Sequence, residues 1–235
     1  MKETRMVCVN KREIPILITD EKEALLAAKA AGGAIVGLWR PGMNMEELSG
    51  AGYVVEDLDD LTEEYLERVA RRHLGLPWKI CETEHLLIRE MFGDDFDEIW
   101  EHKIGRGFQT VEEFYAYTKN QYAFYEFGFW AVVEKKTGAL AGVAGLTVPA
   151  GDESGDPEME TLFLTAEEGD GRGTETLELG YHMFPVFRRK GYGRESCEAI
   201  LKYGRETLLA GRFLVRIRKG NEASKRLAES LGFHI

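Results

Sequence analysis

The chain has 235 residues, 44% hydrophobic and 11% aromatic, which is enough apolar surface for a buried core and excludes a wholly disordered chain. Thirty Lys and Arg against 41 Asp and Glu give a net charge of −11, which argues against general nucleic-acid binding and against adsorption to anionic lipid. Cys8, Cys81 and Cys197 are widely spaced, with no CxxC pair and no His at zinc-ligand spacing, so neither a disulfide framework nor a metal site is expected.

The first 77 residues read as a small α/β passage. Residues 14–19 are a short apolar run suited to a buried strand, and residues 20–31 are good helix formers stopped by Gly32 and Gly33. Residues 34–39 form a second apolar run before the breaker Arg40-Pro41-Gly42, and Tyr53 with Val55 starts a third. Asp60 with Glu63 predicts the cap of a helix carrying Leu61, Tyr65, Leu66, Val69 and Ala70. Strands alternating with helices imply a small three-stranded parallel sheet.

After Pro77 the pattern changes. Residues 84–90 read as a strand, Asp95 with Glu98 as the cap of a short helix, and Thr110 with Glu113 as a capping box before an aromatic helix over 111–125. Residues 129–134 and 139–147 flank the hairpin turn Lys135-Lys136-Thr137-Gly138. A polar loop over 149–157, a strand over 159–165, an acidic glycine-rich loop and a strand over 176–184 follow. A helix over 193–209, a strand over 213–217 and a helix over 222–230 complete the chain. No signal-peptide pattern and no long apolar run occurs, so a cytoplasmic protein without a membrane partner is expected.

The stretch from Leu177 to Glu195 carries the chemistry. A strand runs into a basic turn with two glycines, and a helix begins there, so backbone N–H groups converge at the positive end of a helix dipole. Gly191 and Gly193 let the main chain approach an anion, and Arg188, Arg189, Lys190 and Arg194 add positive charge, a combination suited to a pyrophosphate. Pro185 removes a donor at the strand's end, so a neighbouring strand is released and an extended amide-bearing ligand can pair there. A GxG alone is a weak motif; the Walker spacing and the GxGxxG fingerprint are both missing, the latter because residue 196 is serine.

This segment resembles motif A of the GNAT acyltransferase superfamily, Gln/Arg-x-x-Gly-x-Gly/Ala, at Arg188, Gly191 and Gly193. Thr83-Glu84-His85-Leu86-Leu87-Ile88-Arg89-Glu90 is similar to the opening strand of the ribosomal-protein-acetyltransferase-like branch. Phe129-Trp130-Ala131-Val132 with Thr137-Gly138 and Ala141-Gly142 resembles that branch's second and third strands, and Glu178-Leu179-Gly180-Tyr181 with Pro185 its fourth. Asn221-Glu222-Ala223-Ser224 with Leu231-Gly232-Phe233 resembles motif B. The resemblance implies the GNAT fold, a mixed and mostly antiparallel twisted sheet with flanking helices, over residues 78–235. It implies acetyl-CoA as donor and an amine as acceptor. The backbone near Met183 and Phe184 would pair with pantetheine, the turn Arg188, Arg189, Lys190, Gly191, Tyr192, Gly193, Arg194 would bind pyrophosphate, and Asn221 would contact the cofactor arm.

Direct transfer needs a base for the ammonium proton, an acid for the thiolate and an amide on the developing oxyanion. Glu178 fits a base acting through water and equally an exposed or cross-strand-paired glutamate; His182 fits a core or mouth-lining histidine better than a catalyst. Many members place a tyrosine acid seven residues after the motif-B asparagine, where this chain has Ala228; Ser224 or an ordered water is a substitute, and Ser224 equally braces its helix. The family normally has a further strand after Gly-Phe, and here the chain ends at Phe233-His234-Ile235, so the domain is expected to be a strand short unless a partner chain, such as a second copy in a homodimer, supplies one.

Within residues 1–77, Ile16-Leu17-Ile18-Thr19-Asp20, the alanine-rich helix to Gly32, and Gly52-Tyr53-Val54-Val55 resemble the closing part of haloacid-dehalogenase-like phosphatases. There a Gly-Asp pair binds magnesium; Asp20 is kept, Thr19 replaces the glycine, and the Asp-x-Asp nucleophile is absent, so a non-catalytic remnant is expected. Residues 188–226 hold twelve Lys and Arg against four Asp and Glu, a basic strip suited to a polyphosphate, while the acidic remainder favours a cationic acceptor. An acyl-CoA-dependent N-acyltransferase is the leading expectation, and a non-catalytic acyl-CoA-binding sensor or scaffold is the alternative.

Overall fold

The computed structural model describes residues 1–102, 108–149, 158–165 and 175–235. The expected loops within 150–157 and 166–174 lie outside the described residues. The chain divides into two units, Met1–Trp78 with Tyr115–Glu126, and Lys79–Phe114 with Phe127–Ile235, and each holds one sheet.

In the first unit, β1 (Lys2–Val9) and β2 (Arg12–Thr19) form an antiparallel hairpin. They turn at Asn10-Lys11, whose φ values of 51° and 67° are both left-handed, as a two-residue turn matched to strand twist requires. β3 (Ala34–Leu38) and β4 (Val54–Val55) then add in parallel. Every residue of β3 is buried, because helices cover both faces. Helix α2 (Glu63–His73) lays Leu66, Val69 and Ala70 over Ile16, Ile18, Val36 and Leu38, and α1 (Lys22–Ala30) lays Leu25 over Ile35 and Leu48 on the other face.

Two expectations need correction here. The sheet has four strands rather than three, because β1 is an edge strand whose Lys2, Glu3, Thr4 and Arg5 mask the apolar alternation. The cap of α2 is Thr62, whose Oγ accepts the Tyr65 N–H at 3.1 Å; the 3₁₀ turn Leu58–Asp60 uses up the residues from which an Asp60 cap was expected.

The second unit is a seven-stranded sheet in the order β5 (Lys79–Glu82), β6 (Leu86–Glu90), β7 (Phe129–Glu134), β8 (Leu140–Thr147), β10 (Thr176–Met183), β11 (Arg212–Arg218), β9 (Met159–Thr165). All neighbours are antiparallel except β10 and β11. The edge beyond β11 is filled from within the chain by β9, and His234 adds a single bridge to Phe163 on the other side of β9. Helix α5 (Tyr192–Glu206) crosses from β10 to β11 and buries Cys197, Ile200 and Leu201. It lies on the face carrying Trp130, whose ring meets Tyr203 edge-on at 5.5 Å. α6 (Glu222–Ser230) packs on β11. α3 (Phe96–Glu101) follows β6; α4 (Val111–Tyr125), which from Tyr115 onward belongs to the first unit, begins with the expected Thr110 cap, the Glu113 N–H donating to its Oγ at 3.2 Å.

Asp95 was expected to cap α3, and its side chain does something else. It is 6% exposed, receives both guanidinium nitrogens of Arg89 at 2.7 Å, and accepts the Phe92 N–H at 3.0 Å. The pair fastens the turn after β6 to that strand. Asp95→Ala should therefore cost about 3–5 kcal/mol, because it leaves Arg89 shielded from water without its carboxylate. A urea denaturation series checks this.

Candidate active site

β10 pairs with β11 only where Thr176, Leu177 and Glu178 face Arg212, Phe213 and Leu214. Past Glu178 the strands part. β10 continues against β8 to Met183, and Pro185, without an N–H to donate, turns the chain into the 3₁₀ segment Pro185–Phe187. The Phe184 N–H donates to Ala141 on the β8 side, so strand alternation aims the N–H groups of Tyr181 and Met183 into the gap. Of the two expected pantetheine-pairing residues, Met183 thus keeps an amide facing the gap, though its carbonyl accepts Arg188 Nε at 2.8 Å; the Phe184 amide is already used.

Below the gap the turn reaches α5. Arg189 (φ 64°) and Gly191 (φ 87°) adopt the left-handed conformation, and Gly191 caps the helix. The N–H groups of Gly191, Tyr192 and Gly193 open α5, where no carbonyl lies one turn earlier in the helix, so they are available to an anion. Three of the four expected cations are committed within the chain: Arg188 to the Met183 carbonyl, Lys190 at 3.6 Å from Glu134, and Arg194 to Glu198 at 2.7 Å. Arg189 is exposed.

Two carboxylates brace this turn, and neither was expected from the sequence. Glu134, at the end of β7, accepts the Thr137 and Tyr192 hydroxyls at 2.7 Å each. These hydroxyls, with the Lys190 charge, hold its carboxyl below the usual range, and the same bond raises the Tyr192 pKa. Glu195 accepts the Thr83 hydroxyl, the His85 N–H at 2.9 Å and His85 Nδ1 at 3.1 Å. Burial alone would raise the Glu195 pKa, but the Thr83 and His85 bonds outweigh it and leave it lowered.

Glu178 stands at the fork. It is half-buried, and burial raises its pKa; Arg216, with Nε 3.7 Å from Oε2, offsets part of the rise. Gly180 and His182 follow on the same face. A Cβ on Gly180 would sit 2.6 Å from the Phe129 ring, so only glycine lets that ring lie there. Burial, then the Arg188 and His102 charges, push the His182 pKa down.

Across the gap, Tyr181 points to the α6 side and donates its hydroxyl to the Ser224 carbonyl at 3.0 Å. Burial pushes its pKa up to about 12. The Ser224 N–H is bound in turn by Asn221 Oδ1 at 3.2 Å, so Asn221, expected on the cofactor arm, caps α6 in this structure. Ala228, at the usual tyrosine position, is 1% exposed. Tyr181 lay inside the quoted strand motif; only the direction of its side chain was missing.

Gly191→Ala should raise the Kd for CoA about tenfold, because a Cβ in the left-handed region costs about 1–2 kcal/mol of the turn's shape. Gly193→Ala should have the smaller effect, its Cβ meeting Leu227 and Met183 at ordinary distances. Titration calorimetry with CoA measures both.

The chain can now be set beside known proteins. The family described as "Acetyltransferase (GNAT) domain" matches residues 53–234. Among solved structures, the chain is similar to an acetyltransferase (GNAT family) from Bacillus anthracis, at 21% identity over 64% of this chain and 81% of that one, TM-score 0.44. It is similar to a ribosomal-protein-S5-alanine acetyltransferase from Vibrio fischeri, at 15% identity over 68% and 83%, TM-score 0.48. A spermidine N-acetyltransferase from Vibrio cholerae aligns at 15% identity over 65% and 81%, TM-score 0.47. Among the described residues no helix is long and apolar enough to cross a membrane. With its parted strands, its amide-lined turn and a family match over most of its length, the chain belongs to the GNAT acetyltransferase family.

Proposed function

We propose that the chain transfers an acetyl group directly from acetyl-CoA to a primary amine. The observation that carries this reading is the parting of β10 and β11 beside Glu178, with the amide-lined turn at one end of the gap. The residues present fit the donor: the Tyr181 and Met183 amides would pair with an extended amide-bearing arm, and the N–H groups at the start of α5 would hold a pyrophosphate. Acetyl-CoA supplies the acetyl group as a thioester.

Glu178 takes the proton from the acceptor's ammonium, and its raised pKa makes it a stronger base than an exposed carboxylate. An amide of β10 stabilises charge developing on the thioester oxygen. For the departing thiolate the geometry favours Tyr181 over Ser224 as acid. The Tyr181 hydroxyl is kept protonated by burial and turns its proton from the Ser224 carbonyl to the sulfur as the thiolate leaves, whereas Ser224 contributes only that carbonyl. Asn221 holds that turn of α6 in place. The acidic balance outside residues 188–226 favours an acceptor that arrives as a cation at its reacting nitrogen.

In this reading residues 78–235 are the catalytic domain, and residues 1–77 are a non-catalytic α/β module derived from a haloacid-dehalogenase-like unit. Asp20, the acidic residue the resemblance retains, is paired with the Met1 ammonium and lies 3.5 Å from Arg40 Nε, which fills its surroundings with protein cations. The buried Ala228 at the usual acid position favours a second reading, a non-catalytic acyl-CoA sensor.

Turnover separates the two. Thiol release from acetyl-CoA should depend on an added amine, and Glu178→Gln should lower kcat about 10²–10⁴-fold. The active form is the ionised carboxylate, so activity falls as pH drops through the Glu178 pKa. Because that pKa is raised, the acid limb should lie above the ordinary glutamate value of about 4.3, and Glu178→Gln should abolish it. Tyr181→Phe should lower kcat more than it raises the KM for acetyl-CoA. Tight CoA binding without release for any amine would establish the sensor.

A further inference from the structure

The first unit leaves one long sheet edge open. β1 runs its eight residues against β2 in unbroken register, with no proline and no bulge to blunt its other side. Which groups face outward follows from the ladder. The Asp20 N–H donates to the Met1 carbonyl, and the Asn10-Lys11 turn closes the hairpin on Val9 and Arg12, so the odd-numbered residues of β1 exchange their bonds with β2. The N–H and C=O groups of Lys2, Thr4, Met6 and Cys8 therefore point away from β2, and they meet no partner among the described residues. Their side chains are exposed, Met6 at 56%. Glu3 and Arg5 lie half-buried on the other face, beside the Ile18 and Ile16 that α2 covers. Arg5 donates from Nε to Glu3 Oε1 at 2.7 Å and from Nη1 to the Leu61 carbonyl at 3.2 Å. Among the described residues Arg5 Nη2 and Glu3 Oε2 are left uncommitted.

We propose that this edge binds a second copy of the chain, β1 to β1 and antiparallel about a two-fold axis at Thr4, so that two sheets of four strands become one of eight. Charge selects the register. Only the even-numbered residues have backbone bonds to give, so a symmetric pair can centre on any residue from Glu3 onward. Centring on Glu3 or on Arg5 sets like charges face to face, and centring on Met6 or beyond leaves both without an opposite charge. Centred on Thr4, Glu3 lies directly across from Arg5 of the second copy, twice over. Each carboxylate then sits between two guanidiniums, with Glu3 Oε2 and Arg5 Nη2 as the atoms that form the new bonds. Lys2 faces Met6 of the second copy and lays its aliphatic stem along the thioether. The pairs Lys2 with Met6, Thr4 with Thr4 and Met6 with Lys2 supply about six hydrogen bonds between the copies.

A foreign strand could satisfy the same amides, but Glu3-Thr4-Arg5 is complementary to its own reverse, which singles out a copy of this chain. The edge is also a place where two acidic chains can meet. Each copy carries −11, whereas β1 itself holds Lys2 and Arg5 against Glu3, so repulsion is least along this strand. The second copy that the sequence suggested for the end of the other sheet finds the β11 edge already taken by β9. The interface uses the first unit alone. It stands apart from the transferase reading and gives the small α/β module a role in assembly.

Analytical ultracentrifugation of the full chain over a range of concentrations should show a dimer in equilibrium with monomer. Arg5→Glu and Glu3→Arg each set like charges across the axis, and each should raise the dimer Kd about tenfold or more. An equimolar mixture of the two variants pairs opposite charges at every position across the axis and should associate at least as tightly as the unaltered chain. The charge pair within each copy stays broken in that mixture, so a merely local role for Glu3 and Arg5 would not produce the recovery. Linkage checks the register. In a Cys8→Ala background, Thr4→Cys places two sulfurs across a pair whose Cα atoms are about 5.5 Å apart, within disulfide reach, and mild oxidation should link the copies. Met6→Cys, which faces Lys2, should stay unlinked. A monomer at every concentration, a dimer indifferent to both single reversals, a mixture that fails to associate, or linkage by Met6→Cys in place of Thr4→Cys would each overturn the proposal. If the charge reversals do not fold, the linkage of Thr4→Cys decides the matter by itself.

Discussion

Buried backbone groups must find hydrogen-bond partners, and this unit is organised around one place where a strand gives up a partner. β10 holds β11 over three residue pairs and then lets it go. Parallel neighbours joined through a helix set this up, since α5 leaves from the far end of β10 and returns the chain to the near end of β11. Everything with chemical potential lies along the fork: Glu178 at its apex, the Tyr181 and Met183 amides along one side, Arg216 reaching back from the other, and the start of α5 below. A sheet paired along its whole length would have presented the same side chains with no room between them.

The fork stays in shape because carboxylates brace it. Glu134 from the β7 end and Glu195 from the first turn of α5 pin the turn before α5 to the hairpin and to the segment before β6. The backbone, in a conformation with two left-handed residues, thereby presents the amides, while the nearby cations are mostly engaged with the chain's own acceptors. The positive charge concentrated in one stretch of sequence consequently serves two sides of the sheet. Part of it surrounds the turn, and Arg216 on the far face stands beside Glu178.

Two of the misread places share one cause: a residue type with two local uses. Asp95 precedes a helix and has the right chemistry for a cap, yet Arg89, six residues earlier, claims its carboxylate. Asp60 and Thr62 both make good caps, and the intervening 3₁₀ turn selected Thr62. β1 was invisible because an edge strand does not need the apolar alternation that betrays an interior one.

The sequence by itself determined the run of strands and helices of the second unit from β6 onward, though not β5, together with the basic glycine turn and the family, since these depend on local propensity and on spacing along the chain. It also placed Glu178 on the fourth strand of the family pattern. Only the tertiary structure decided that β9 covers the edge of β11, that Tyr181 spans the gap to α6, and that Arg216 meets Glu178 on the face away from α5. Strand order and side-chain direction across a sheet arise from contacts between residues far apart in the chain. No local pattern encodes them, and the site is built from them.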